Sequence, residues 1–260
     1  GAMYAVGGEG VKKNSSQAVL WYDKAAQQGH VKAQYHLGSM YYEGIGVEKN
    51  VSQAALWIRK AAKQGNTKAQ LRLGVMHVGG EGVKKDMSQA VLLFRKAAQQ
   101  GDAEAQSVLG LMYGKGEGVK KDFTQAASWM RKAAQQGHTQ AQYVLGMMYC
   151  VEGGGVKKDY RQAASLFRKA AQQGHADAQY YLGMMYGKGE GVKKDMSQAV
   201  LLLRKAAQQG HADAQYMLGI MYGAGEGVKK DMSQAVLLLR KAAQQGNAKA
   251  IKKLKEIEKQ

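Results

Sequence analysis

Four of the six histidines, the single cysteine and a series of lysine pairs are the residues in this 260-residue chain whose types could support chemistry. Histidine and cysteine ligate metals, and cysteine becomes a nucleophile when a base stands within hydrogen-bond reach. His30, His138, His175 and His211 each follow a glycine at one phase of a repeating pattern, one per unit. Stacked helical units sit roughly 10 Å apart, too far for histidines in different units to share a metal with bonds near 2 Å. A role at the start of a helix is expected of them, and no metal or cofactor is assigned. Cys150 lies in a one-residue insertion, Cys150-Val151-Glu152-Gly153. No histidine recurs beside it to act as a base, so it reads as a plain small side chain. The run Gly114-Lys115-Gly116-Glu117-Gly118 resembles a phosphate loop, but a helical pattern precedes it and no Gly-Lys-Ser or Gly-Lys-Thr appears, so it is a turn. No catalytic residue is assigned, and the chain is read as not being an enzyme.

The lysines carry a different chemistry. Lys12-Lys13, Lys84-Lys85, Lys120-Lys121, Lys157-Lys158, Lys193-Lys194 and Lys229-Lys230 occupy one phase, in a chain of net charge +18. Such a basic edge attracts polyanions: an anionic membrane surface, an acidic cell-envelope polymer or nucleic acid. No aromatics interleave with the lysines and each pair adjoins a capping residue, which disfavours nucleic acid and makes solvated surface the plainer reading.

The elements that position these residues follow from an internal repeat. A Gln-Gly pair ends at Gly29, Gly65, Gly101, Gly137, Gly174, Gly210 and Gly246, at intervals of 36, 36, 36, 37, 36 and 36 residues. Each period holds two amphipathic patterns. In the first, the A helix, Ala33, Leu37, Met40 and Tyr41 share one face. Glycines in the following loop supply the positive φ that ends a helix without proline. Asn14, Asn50, Asp86, Asp122, Asp159, Asp195 and Asp231 then precede a glutamine by three residues, the spacing of a capping box that starts the B helix. That helix turns Ala90, Leu93, Phe94, Ala97 and Ala98 inward and places Arg95 and Lys96 where the helix dipole favours cations. Gly38, Gly74, Gly110, Gly146, Gly183 and Gly219 recur inside the A helix, where glycine costs roughly 1 kcal/mol relative to alanine. Close helix packing is the expected reason.

The string Ala-Gln-x-x-Leu-Gly-x-Met-Tyr (Ala141 to Tyr149), then Gly-x-Gly-Val-x-Lys-Asp, Gln-Ala and Arg-Lys-Ala-Ala-x-Gln-Gly resembles the Sel-one-like repeat (SLR) family, a relative of the tetratricopeptide repeats, over the whole chain. The resemblance implies an all-α fold, an α/α solenoid with a right-handed superhelix of about seven 36-residue helix-turn-helix repeats. It also implies a non-catalytic adaptor or scaffold role, usually in bacteria, and favours an exported protein. The cysteine-rich branch of the family closes its repeats with disulfides; this chain lacks those cysteines. An enzyme acting on a peptidoglycan-like or β-lactam substrate is suggested by that branch alone.

A single domain over 1–260 is expected: a partial unit 3–29, repeats 30–65, 66–101, 102–137, 138–174, 175–210 and 211–246, and a capping helix 247–260. Lys252, Lys253 and Lys259 make that last helix polar, as a cap at a natural C-terminus would be. At the other end Met3-Tyr4 matches the close of an A helix, and Gly1-Ala2 resembles the scar left by tag removal, with any leader lost. A monomer is expected, and one cysteine fits either redox compartment.

The positions that vary between repeats point to the partner. By analogy with tetratricopeptide repeats the A helices line a concave surface. One outward row holds Tyr143, Tyr180 and Tyr216, the next Met147, Met184 and Ile220, flanked by Asp177 and Asp213, with Cys150 at the mouth. Aromatic anchors beside adaptable methionines suit a groove for a peptide or protein segment. The alternative is that the tyrosines pack between repeats and the aspartates serve helix N-termini.

Overall fold

The computed structural model describes Ala2, Ala5 and residues 14–258. The readings at Met3-Tyr4, Lys12-Lys13 and Lys259 lie outside them. Among the described residues are fourteen helices and no strand. They are α1 (Ser15–Gln27), α2 (Val31–Glu43), α3 (Val51–Lys63), α4 (Thr67–Gly79), α5 (Met87–Gln99), α6 (Ala103–Lys115), α7 (Phe123–Gln135), α8 (Thr139–Cys150), α9 (Tyr160–Gln172), α10 (Ala176–Lys188), α11 (Met196–Gln208), α12 (Ala212–Ala224), α13 (Met232–Gln244) and α14 (Ala248–Ile257). Even-numbered helices are A helices and odd-numbered ones B helices. Consecutive helices pack on one another from α1 to α6 and from α8 to α14, as in an all-α solenoid. The chain divides into two compact units, Gly1–Trp129 and Met130–Gln260.

The B helices start as their sequence predicts. The Asp86 carboxylate accepts the Gln89 N–H at 2.9 Å, and Asn50, Asp122, Asp195 and Asp231 do the same for their own helices. The reciprocal half of the expected box is replaced by a tertiary contact. The Asp86 N–H donates to the His77 carbonyl, and the Asp195 and Asp231 N–H groups donate to the Tyr186 and Tyr222 carbonyls, so each cap is tied to the preceding A helix. In the core, α5 buries Ala90, Val91, Phe94, Ala97 and Ala98. Leu93, expected among them, is half-buried and packs towards the preceding cluster around Ile58 and Leu73.

A buried glutamine joins successive repeats. In α10 the Gln179 side chain donates to the Ala171 carbonyl at 3.2 Å and accepts from Gln209 Nε2 at 2.8 Å. The arrangement recurs at Gln34, Gln70, Gln142 and Gln215. Each such glutamine adds a second bond to a carbonyl at the end of one B helix, which also accepts the N–H of the following glycine, and binds the C-cap glutamine of the next B helix.

The mid-helix glycines are sites of close approach. A Cβ at Gly146 would lie 2.7 Å from Cε1 of Phe167, a ring with no exposed surface. Gly146→Ala is therefore expected to lower stability by about 1–3 kcal/mol through overpacking. At Gly183 the added carbon would meet Leu203 Cγ at 3.1 Å and the Ala199 carbonyl oxygen at 3.2 Å. There the gain of about 1 kcal/mol in helix propensity offsets much of the strain. Thermal melts of the two variants check this; a wild-type melt for Gly146→Ala would refute the packing.

Candidate functional site

All four phased histidines stand at the N-caps of A helices, and three of them cap the helix with the side chain. Nδ1 of His138, His175 and His211 accepts the backbone N–H of Ala141, Ala178 and Ala214 at 3.2, 3.3 and 3.1 Å. Asn66, Asp102 and Asn247 do the same in other repeats, whereas the His30 side chain makes no cap bond. With Nδ1 accepting, the ring proton sits on Nε2. That nitrogen faces Gln140 Oε1 at 3.0 Å in His175 and Asp177 Oδ1 at 3.1 Å in His211. Among the described residues no three His, Cys, Asp or Glu side chains are placed to hold a metal ion.

The candidate groove residues of the second unit lie on three A helices: Tyr143, Met147 and Cys150 on α8, Asp177, Tyr180 and Met184 on α10, and Asp213, Tyr216 and Ile220 on α12. The tyrosines are half-buried between repeats. Tyr143 stacks on His175 and Tyr180 on His211, with ring centroids 4.6 and 4.7 Å apart. Tyr216, whose following cap is Asn247, packs with Ile220 against Leu239. Asp177 faces the cap His211, and Asp213 accepts from Asn247 Nδ2 at 2.8 Å. Both aspartates thus steady the next helix start while keeping much of their surface in water. Burial pushes the Tyr143 hydroxyl up to about 12 and raises Tyr180 too.

The first unit carries the same rows with different side chains. Leu71 and Ser107 stand where the second unit has tyrosine. A cleft of about 450 Å³ opens there, lined by Tyr35, Lys68, Leu71, Arg72, Val75, Asp102 and Glu104. This cleft lies outside the C-terminal set that the tyrosine row singled out. The signal for it was the loss of the ring from that row.

Cys150 closes α8 and packs against the cluster around Phe167. Burial raises its thiol above the ordinary value, and Glu190 adds to this, the opposite of an activated nucleophile. Lys84, Lys85, Lys120 and Lys121 in the first unit, and Lys157, Lys158, Lys193, Lys194, Lys229 and Lys230 in the second, are all exposed. Aromatics do accompany two of the pairs: Lys121 lies 4.7 Å over the ring of Phe123 and Lys158 4.9 Å over Tyr160. The expectation of lysines without aromatics holds only for the other pairs, where methionine follows the capping aspartate. One recurring contact went unread in the sequence: Arg95, Arg168 and Arg204 donate to the hydroxyls of Tyr113, Tyr186 and Tyr222 at 2.9, 3.2 and 2.9 Å. The constant separation of 18 residues was its signal.

Helix pairs stacked through buried glutamines, with rows of partly exposed side chains along the A helices, define an all-α repeat protein built to present surfaces. The Sel1 repeat model matches residues 1–30, 31–66, 67–102, 103–138, 139–175, 176–211 and 212–247, and the chain belongs to the Sel1 repeat family. Proteins of this family are mainly non-catalytic protein-interaction scaffolds. The chain is similar to c5321, a protective antigen of uropathogenic Escherichia coli strains with an SLR fold. The identity is 38% and the TM-score 0.91 over 96% of this chain and 53% of that one. It thus spans about half the length of that relative. It is also similar to a Sel1 repeat protein of Oxalobacter formigenes, with 39% identity and a TM-score of 0.78 over 98% of this chain and 73% of that one. Both neighbours are bacterial. No curated protein matches the chain.

Two outcomes follow from the histidine caps and the half-buried tyrosines. His211→Ala should cost about 1 kcal/mol, whereas His211→Asn, the residue found at Asn66 and Asn247, should retain most of the stability in denaturant titrations. Tyr143 ionises more readily unfolded, near 10, than folded, at about 12. Its contribution is therefore complete below pH 10 and lost as the pH rises towards 12. Unfolding followed across that window should show a loss that Tyr143→Phe removes.

Proposed function

We propose that the protein is a non-catalytic adaptor that holds a peptide or protein segment along its A-helix face. The observation that carries this reading is the cleft of the first unit. It is built from the same helical rows as the candidate groove: Lys68 and Glu104 from one row, Tyr35 and Leu71 from the next, and Val75, 49% exposed, from the third. An apolar floor with charges of both signs at its rim is the composition of a peptide-binding surface. In the second unit Tyr143, Met147, Cys150, Asp177, Tyr180, Met184, Asp213, Tyr216 and Ile220 would continue that role. There Tyr143 and Tyr180 offer ring edges held rigid by the histidines they stack on, and the methionines adapt to the segment. Rigid aromatic side chains lose little entropy on binding.

A photo-crosslinker placed at Val75 or Met184 in the full chain, compared with one at Leu201 on a B helix, tests the face used. Adducts with a host protein are expected from the A-helix positions. Titration of the identified segment should then show affinity at least about tenfold weaker for Val75→Glu/Met184→Glu, at an unchanged melting temperature. Tyrosine truncations are less useful because the stacked rings also support the fold. Adducts from Leu201 alone, or wild-type affinity in the double variant, would overturn the reading.

A further inference from the structure

The 37-residue repeat differs from its neighbours in how its A helix ends. α2, α4, α6, α10 and α12 stop on a left-handed glycine, whereas α8 stops on extended Val151 and the chain turns at Gly153 and Gly155 instead. Beside this altered loop two cavities of about 500 and 190 Å³ share Arg131, Tyr149 and Gln162. Lys157 and Lys158 line the larger and Lys169 the smaller. The groove lies within the second unit and is lined from the B helices α7 and α9, the loop before α9 and the end of α8.

Its electrostatics are one-sided. Among the described residues, none of the four cations Arg131, Lys157, Lys158 and Lys169 forms an ion pair. The one carboxylate in the lining, Asp159, accepts the backbone N–H groups of Arg161 and Gln162 at 2.9 and 3.1 Å, so it is engaged in starting α9. Glu152 and Glu190 reach Lys158 only through space. Arg131 lines both cavities and donates to the Tyr149 hydroxyl at 3.4 Å, one bond from a guanidinium that carries five N–H donors.

We propose that this groove is a binding site for a short chain of condensed phosphate groups. Four cations line the two cavities, and condensed phosphates, joined through shared oxygens, bring their negative charges closer together than a polyglutamate or a phosphodiester chain, in which a residue or a sugar separates them. The guanidinium suits bidentate contact with one phosphate, and the lysines act as mobile point charges on its neighbours. Arg131 lines both cavities, so a linear ligand that occupies both would contact all four cations where a lone phosphate reaches fewer.

The test is calorimetric titration of the full chain with tripolyphosphate at low salt. Orthophosphate, single-stranded oligothymidylate and polyglutamate serve as comparison ligands. Lys157→Gln/Lys158→Gln/Lys169→Gln removes three exposed charges from the groove. Lys193→Gln/Lys194→Gln/Lys205→Gln removes three at the same phases one repeat on. The first variant should bind tripolyphosphate about tenfold more weakly and the second within about twofold of wild type, both with wild-type melts. Tripolyphosphate should also bind more tightly than each comparison ligand. Equal losses in the two variants would mean diffuse attraction to the basic edge and overturn the site. Tighter binding of oligothymidylate or polyglutamate would overturn the ligand class. Because no A-helix residue is altered, failure here leaves the peptide groove standing, and the reverse also holds.

Discussion

A carboxamide placed between packed helices must find partners for its N–H and C=O groups, and in this protein that requirement sets how one helix pair meets the next. Gln179 spans the end of α9 and the start of the next contact at Gln209, with hydrogen bonds of 3.2 and 2.8 Å. Moving either helix by an ångström would strand a buried polar atom at a cost of about 1–3 kcal/mol. The glycines act in concert with it. Gly146 lets Phe167 reach the helix backbone, so the apolar layer closes at the separation the glutamine bonds require.

The same register carries over to the surface. Because each B helix ends at a fixed place over the next A helix, His175 and His211 lie under Tyr143 and Tyr180. One imidazole thus satisfies a helix end, supports an aromatic ring and meets a polar side chain of the preceding repeat. A surface assembled in this way is rigid where the histidine and tyrosine coincide. It opens into a cleft where Leu71 replaces the ring. The two units therefore offer different textures on one structural theme.

The basic side follows another logic. Carboxylates sit beside most of the lysine pairs and accept backbone N–H groups at the starts of the B helices, and among the described residues none of these lysines forms an ion pair. Where the period stretches by one residue, the loop no longer closes as in its neighbours and the cations converge on a cavity. The inserted residue makes a local feature out of a uniform edge.

The helices, their order and their starts were legible in the sequence, because periodicity and capping are local properties that the 36-residue repeat displays many times over. The recurring glycines could be read as close packing for the same reason, since glycine inside a helix needs compensation. What the sequence left open were the partners of side chains across repeats. It placed Leu93 inward, gave Gln89 half of a capping box and read the glutamine after Ala141 only as part of a motif. The structure tied the cap N–H groups to the preceding A helix and made that glutamine, Gln142, a link between repeats. It also set tyrosines on histidines 31 or 32 residues away. The link from Gln142 to Gln173 and the stacks of tyrosine on histidine join residues nearly a full repeat apart, and even the cap bonds reach from one helix to another. Local propensity carries no information on which of two exposed-looking side chains will meet, because the meeting depends on the distance between helix axes, and only the packed core decides that distance.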